Sequence, residues 1–328
     1  MAGGIFTAVS LQHIPRGPLL TTPLAAALGL SWLVIAWLVS REAVRDGLRR
    51  HTGPLVGSFA IGTWVAASAI VVRMAMLAAP DARWLAEALF TATVGLWLWF
   101  APRAVRNLLR IARLPARDAR PSGVILLTTV ATQAVALPAM RLFPDAAPVR
   151  EIAYALLALG LACYLAGAVL ICRRYIAGPR WRLATDWDNT NCILHGALSI
   201  SGFAAVVSGA VGTGLLAAYW GLTLAVFAIV EAFELARLAA RVRAFGWREG
   251  VLVYDVSQWA RNFTFGMFYA FTAALAGSEG SSEWFGALAP IADAILRFGQ
   301  YVVLLLLLVE LALMARWFAM EGVGCRMG

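Results

Sequence analysis

An all-α integral membrane protein is the fold class this sequence predicts, and three observations carry that prediction. Of 328 residues, 61% are hydrophobic and 14% charged, with a mean hydropathy of +0.77, far from the balance of a water-soluble domain. The apolar residues fall in runs long enough to cross ~30 Å of hydrocarbon, joined by short connections. All 27 basic residues are arginine and gather between those runs, so the +9 net charge reads as topology rather than as a nucleic-acid footprint. A single transmembrane domain, residues 1–328, uses up the chain and leaves no soluble catalytic domain.

Taken in order, the runs bounded by Arg, Pro and Gly place nine full spans, at about 19–40, 55–79, 84–101, 122–143, 151–172, 190–213, 214–236, 255–276 and 286–317. The last is long enough to tilt or kink. Ahead of them, residues 3–12 are apolar but too short to cross and lack the basic start of a signal peptide; they read as the outer half of an incomplete first helix. An even total of ten helices then sorts the arginines. One face collects Arg41, Arg45, Arg49 and Arg50, six more between Arg103 and Arg120, Arg173 to Arg182, Arg237 to Arg248, and finally Arg316 and Arg326. The other face holds Arg16, Arg83, Arg141 and Arg150 with Glu279 and Glu283. The arginine-rich face and the C-terminus are therefore expected in the cytoplasm.

Composition alternates from span to span. The third, fifth, seventh and ninth helices carry small and polar residues, whereas the even ones read Leu-Val-Ile-Ala-Trp-Leu-Val at 33–39 or Tyr-Val-Val-Leu-Leu-Leu-Leu-Leu-Val at 301–309. Bulky helices suit lipid, and polar ones suit a pathway. The expected architecture is five helical hairpins whose odd helices surround a central pore. Its candidate lining residues are Gly62, Thr63, Thr132, Gln133, Asn191, His195, Ser199, Asn262, Thr264 and Gly266. Small residues also let helices pack closely, which accounts for many of them.

Other chemistry is thin. The four cysteines form no CxxC pair and the three histidines stand on separate segments, so no disulfide frame, metal or cofactor is expected. Asp186 and Asp188 precede a helix with the spacing of a cap and turn rather than of catalytic carboxylates. Arg261, costly inside a span unless paired, has Asp255, Glu231 and Glu234 as candidate partners, with Arg261–Asp255 a possible structural ion pair; Asp255 also suits a helix cap.

At the ninth helix the residues resemble a family. Tyr254-Asp255 followed by Trp259-Ala260-Arg261-Asn262-Phe263-Thr264-Phe265-Gly266-Met267-Phe268 is similar to the Tyr-Asp, Trp, Phe-Pro and Gly-Met-Tyr pattern of the tellurite-resistance and dicarboxylate transporter family, which includes the plant slow-type anion channels. Val130-Ala131-Thr132-Gln133, His195-Gly196-Ala197-Leu198-Ser199-Ile200 and Met1-Ala2-Gly3-Gly4-Ile5 resemble the family's fifth, seventh and first helices. The last match puts Met1 inside helix one, as a misassigned start codon would. The resemblance spans nearly the whole chain and implies ten helices around a pore, a homotrimer with one pore per protomer, and a ninth-helix phenylalanine that plugs the pore. By position that residue is Phe263. Two departures stand out: Thr264 replaces a Pro or Gly, so it must either kink the helix less or use its hydroxyl to hold a similar bend, and Leu194 replaces an Asn, whose amide Asn191 one turn earlier partly supplies.

These expectations converge on a gated channel for small inorganic anions in a bacterial-type cytoplasmic (inner) membrane, its partners being the anions and the lipid bilayer, with no nucleic acid. Uncharged hydroxyls and amides along a pore hold an anion weakly enough to release it. Arginines at the inner mouth raise anion concentration within about 8–10 Å. The alternative is a proton-coupled C4-dicarboxylate or tellurite-related carrier, for which His195 or Glu310 would supply the titratable group.

Overall fold

A computed structural model describes residues 1–178, 180–278 and 285–324. Glu279, Glu283 and Arg326, which enter the topological reading, and Cys325, one of the four cysteines, lie outside the described residues. All regular structure among the described residues is helical, so this is an all-α, multi-spanning bundle. Its ten principal helices are α1 (Ala2–Ala8), α2 (Thr21–Asp46), α3 (Gly62–Ala78), α4 (Arg83–Arg113), α5 (Leu127–Leu142), α6 (Ala147–Ala177), α7 (Ile193–Ser208), α8 (Thr213–Gly250), α9 (Trp259–Ala276) and α10 (Ala289–Gly324). Eight of them, with their leading turns, are long and apolar enough to cross a membrane; α1 is too short, and α9 carries Arg261 and Asn262 in its first turn.

Odd and even helices differ in length and burial. From α3 on, each odd helix is entered through a 3-10 turn, at Gly57–Ile61, Gly123–Leu126, Asn189–Cys192 and Val256–Gln258. The even helices run on past the apolar runs: α4 continues to Arg113 and α8 to Gly250 with a kink at Gly246 (φ 74°), carrying their arginines with them. Nothing in the backbone requires a helix to stop where hydrocarbon stops, so hydropathy marks the span and not the helix end. In α5, 83% of the apolar stretch is buried, against 6% in α2 and in α10.

The odd helices pack in a closed ring. α1 lies on α3, α3 on α5, α5 on α7, α7 on α9, and α9 returns to α1. Glycines set the close approaches. A Cβ on Gly62 would lie 2.8 Å from the Leu127 carbonyl oxygen, one on Gly266 would lie 2.9 Å from Ile5, and one on Gly196 would strike the side chain of Thr264. The even helices cover the outside and leave Leu30, Leu33, Trp37, Leu98, Leu165, Leu305 and Phe298 exposed, a surface matched to lipid rather than to water.

Arginines tie the polar end together by capping carbonyls. Arg173 donates to the carbonyls of Ile111, Ala112 and Leu114 at the end of α4, at 2.9–3.1 Å. Arg241 donates to Gly250 (2.7 Å) and Ala184 (3.2 Å). A cation at a helix C-terminus meets both the free carbonyls and the negative end of the dipole.

Candidate functional site

A cavity of about 100 Å³ opens toward the end of the bundle opposite these capped termini, and all five odd helices wall it. Ile5 of α1, Ala66 of α3, Ala134 of α5, Ile200 of α7 and Phe263 of α9 each contribute. Among the described residues the walls are apolar with two exceptions, Arg73 of α3 and Arg141 of α5, and no carboxylate lines the space. Phe263, 2% exposed, lines the cavity together with Met267, one turn further along α9. The backbone entering α9 is fixed by a capping box: Asp255 accepts from the Ser257 amide (2.8 Å) while Gln258 Oε1 accepts from the Asp255 amide (2.9 Å). Thr264, next to Phe263, donates its hydroxyl to the Arg261 carbonyl (3.0 Å).

Beneath Phe263, at the arginine-rich end, lies a buried network of charges. Glu234 of α8 is 5% exposed. It accepts from Trp187 Nε1 (2.8 Å) and pairs with Arg261 Nη2 (2.6 Å) and Arg237 Nη1 (3.4 Å). Arg237 also donates to Asn189 Oδ1, and Asn189 donates to Ser257 Oγ (2.8 Å). Glu231, one turn before Glu234, lies 3.8 Å from Arg261 and 3.6 Å from His195 Nε2. Arg261 therefore takes its partners from α8 rather than from Asp255. Asp255 sits at the mouth of the helix, where the free amides of the first turn engage its carboxylate.

The other polar residues expected from the sequence do not line this cavity; several of their groups are engaged elsewhere, while Gln133 Oε1, Asn262 Oδ1 and both His195 ring nitrogens are buried without a hydrogen-bond partner among the described residues. Gln133 donates to the Leu157 carbonyl of α6 (3.1 Å), and Asn262 to the Val303 carbonyl of α10 (3.2 Å). Thr132 accepts from Trp97 Nε1 of α4 (3.2 Å) and donates to the Thr128 carbonyl. Asn191 accepts from the Gly123 amide (3.0 Å) and donates to the Tyr175 hydroxyl (2.9 Å), joining α5, α6 and α7 at their ends. Ser199 donates back to the His195 carbonyl, and Thr63 to that of Ala60. His195 is fully buried between Phe227 and Phe265, facing α8. Gly62 and Gly266 are contact points between odd helices.

Arg73 is the residue that sequence reasoning overlooked: it sits inside an apolar run, Ile70-Val71-Val72-Arg73-Met74. Arg141, counted with the outer face in the sequence, lies in the last turn of α5 and borders the cavity. The signal was available: an ionisable side chain within a span is costly and faces protein or water rather than lipid. A second cavity, about 160 Å³, lies at the opposite end between the turn entering α3 and α4, lined by Arg103, Arg106, Asn107 and Arg110 among others. Among the described residues no group of three or more His, Cys, Asp or Glu is arranged to hold a metal ion.

An all-α, multi-spanning bundle with at least eight helices long and apolar enough to cross a membrane is the architecture of a membrane protein. Residues 6–316 match the family model described as SLAC1, voltage-dependent anion channel. The chain belongs to that family, the tellurite-resistance and dicarboxylate transporter family, whose members are channels and transporters rather than enzymes. No curated protein matches it at a significant level.

Proposed function

We propose that this protein is a gated channel for small inorganic anions, with its pathway along the axis of the odd-helix ring and Phe263 as the steric gate. One observation supports the reading: the cavity walled by all five odd helices is lined by Phe263 and by two guanidiniums, with no carboxylate among the described residues that line it. Cation density without a carboxylate favours anions. An aromatic ring across a narrow apolar passage blocks hydrated ions. Past the ring the pathway continues toward the arginine-rich end between α3, α5, α7 and α9, whose first two turns carry the hydroxylated residues Thr63, Ser199 and Thr264. The arginine-rich ends and the C-terminus face the cytoplasm across a bacterial-type inner membrane, and the exposed faces of the even helices serve lipid and a homotrimer.

The test is a planar-bilayer recording of the full chain under a chloride gradient. Phe263→Ala should raise the current at least about tenfold, a lowering of the barrier by about 1.4 kcal/mol, with a reversal potential near that of chloride. Phe263→Leu, which keeps bulk at the constriction, should remain nearly silent and controls for the cost of emptying a packed site. If Phe263→Ala stays silent while the wild type takes up labelled dicarboxylate along a pH gradient, the protein is a proton-coupled carrier.

A further inference from the structure

Arg73 and Arg141 both border the cavity, and each acts on the other as a like charge. Neither has an ion-pair or hydrogen-bond partner among the described residues. Arg83, which stands nearby in sequence, is by contrast fully engaged with Glu87 (2.8 Å) and the Leu142 carbonyl (2.7 Å). The two cations are carried on separate packed helices, α3 and α5. The remaining walls, among them Ala69, Ile70, Leu137 and Phe203, are apolar and strengthen any charge interaction formed there.

From this arrangement we infer that Arg73 and Arg141 form a binding site for a doubly charged tetrahedral oxyanion, which occupies the cavity and obstructs the approach to Phe263. A dianion neutralises both guanidiniums at once and presents oxygens to two planar donor forks. A halide neutralises one charge and offers no such geometry. Passage through a pore requires that an ion leave each site as readily as it enters. A site deep enough for a dianion therefore holds it, while a monovalent anion moves on. Divalent oxyanions on this side of the membrane act as blockers of monovalent current. The block rests on the channel reading above, whereas the binding does not.

Sulfate is the probe. In Phe263→Ala channels carrying chloride, sulfate added on the side of Arg73 should reduce the current, and sulfate on the other side should not. Arg73→Gln and Arg141→Gln should each raise the half-blocking concentration at least about tenfold, with Arg73→Lys in between because it keeps the charge and loses the fork. Equal block from both sides, or block unchanged in both Gln variants, would overturn the site. Calorimetric titration of sulfate into the purified wild-type protein reads the same site without any current. Binding that disappears in Arg73→Gln supports the site even if the channel reading fails. No binding to a wild-type protein of unchanged thermal stability refutes it even if the channel conducts.

Discussion

Glu234→Ala is expected to lower the stability of the detergent-solubilised protein by about 3 kcal/mol, because deleting one member of a buried ion pair strands the others. Its carboxylate serves Trp187, Arg261 and Arg237 together. The loss falls at the lower end of the usual range because the Arg261 side chain is 33% exposed and keeps Glu231 at 3.8 Å. Glu234→Gln should cost less than Ala, since it retains an acceptor for the Trp187 indole while losing the charge. The double variant Glu234→Leu with Arg261→Met should recover part of the loss, as apolar residues of similar volume often replace a buried pair without penalty. Thermal unfolding of the set, read as a double-mutant cycle, checks this. Additive single and double effects would mean that the pair contributes nothing of its own.

Gly123→Ala is expected to be equally damaging for a steric reason. A methyl group there would collide with the Thr190 carbonyl and lie 2.8 Å from the Asn191 Cα, so the two backbones would have to separate. The contact is pinned by two hydrogen bonds, Gly123 amide to Asn191 Oδ1 (3.0 Å) and Val124 amide to Thr190 Oγ1 (3.1 Å). Overpacking and the loss of those bonds together cost about 3 kcal/mol. Gly95→Ala provides the contrast. Nothing lies within 4 Å of a Cβ at Gly95 in the body of α4, and replacing a mid-helix glycine with alanine should stabilise by up to ~1 kcal/mol. Measured side by side, the two substitutions should shift the unfolding temperature in opposite directions. A fall of similar size in both would remove the steric account.

The spans were legible because hydrocarbon thickness imposes a length on apolar runs, and the alternation of polar and bulky runs foreshadowed which helices would be buried. Helix ends were not, since α4 and α8 carry their arginines well beyond the last apolar residue. Phe263 could be singled out because its signature is local, a short pattern within one helix. The polar partners could not be oriented in the same way. Gln133 and Asn262 sit on inner helices and yet bond to carbonyls of α6 and α10. Which way a helix is rotated follows from packing against neighbours distant in the chain, such as Gly160 pressed on Gln133. Arg73 was hidden by averaging, because four strongly apolar neighbours outweigh one charge in a hydropathy window.

The ring has a consequence for how the protein is made. Each hairpin brings one inner helix and its outer cover together, so hairpins can enter the bilayer one after another as the ribosome delivers them. The last seam joins the two extremes of the chain, with Gly266 of α9 against Ile5 of α1. Until α9 emerges, the cavity lacks the wall that Phe263 and Met267 supply. A nascent chain halted before that point holds a ring still open on one side, and one late segment completes it.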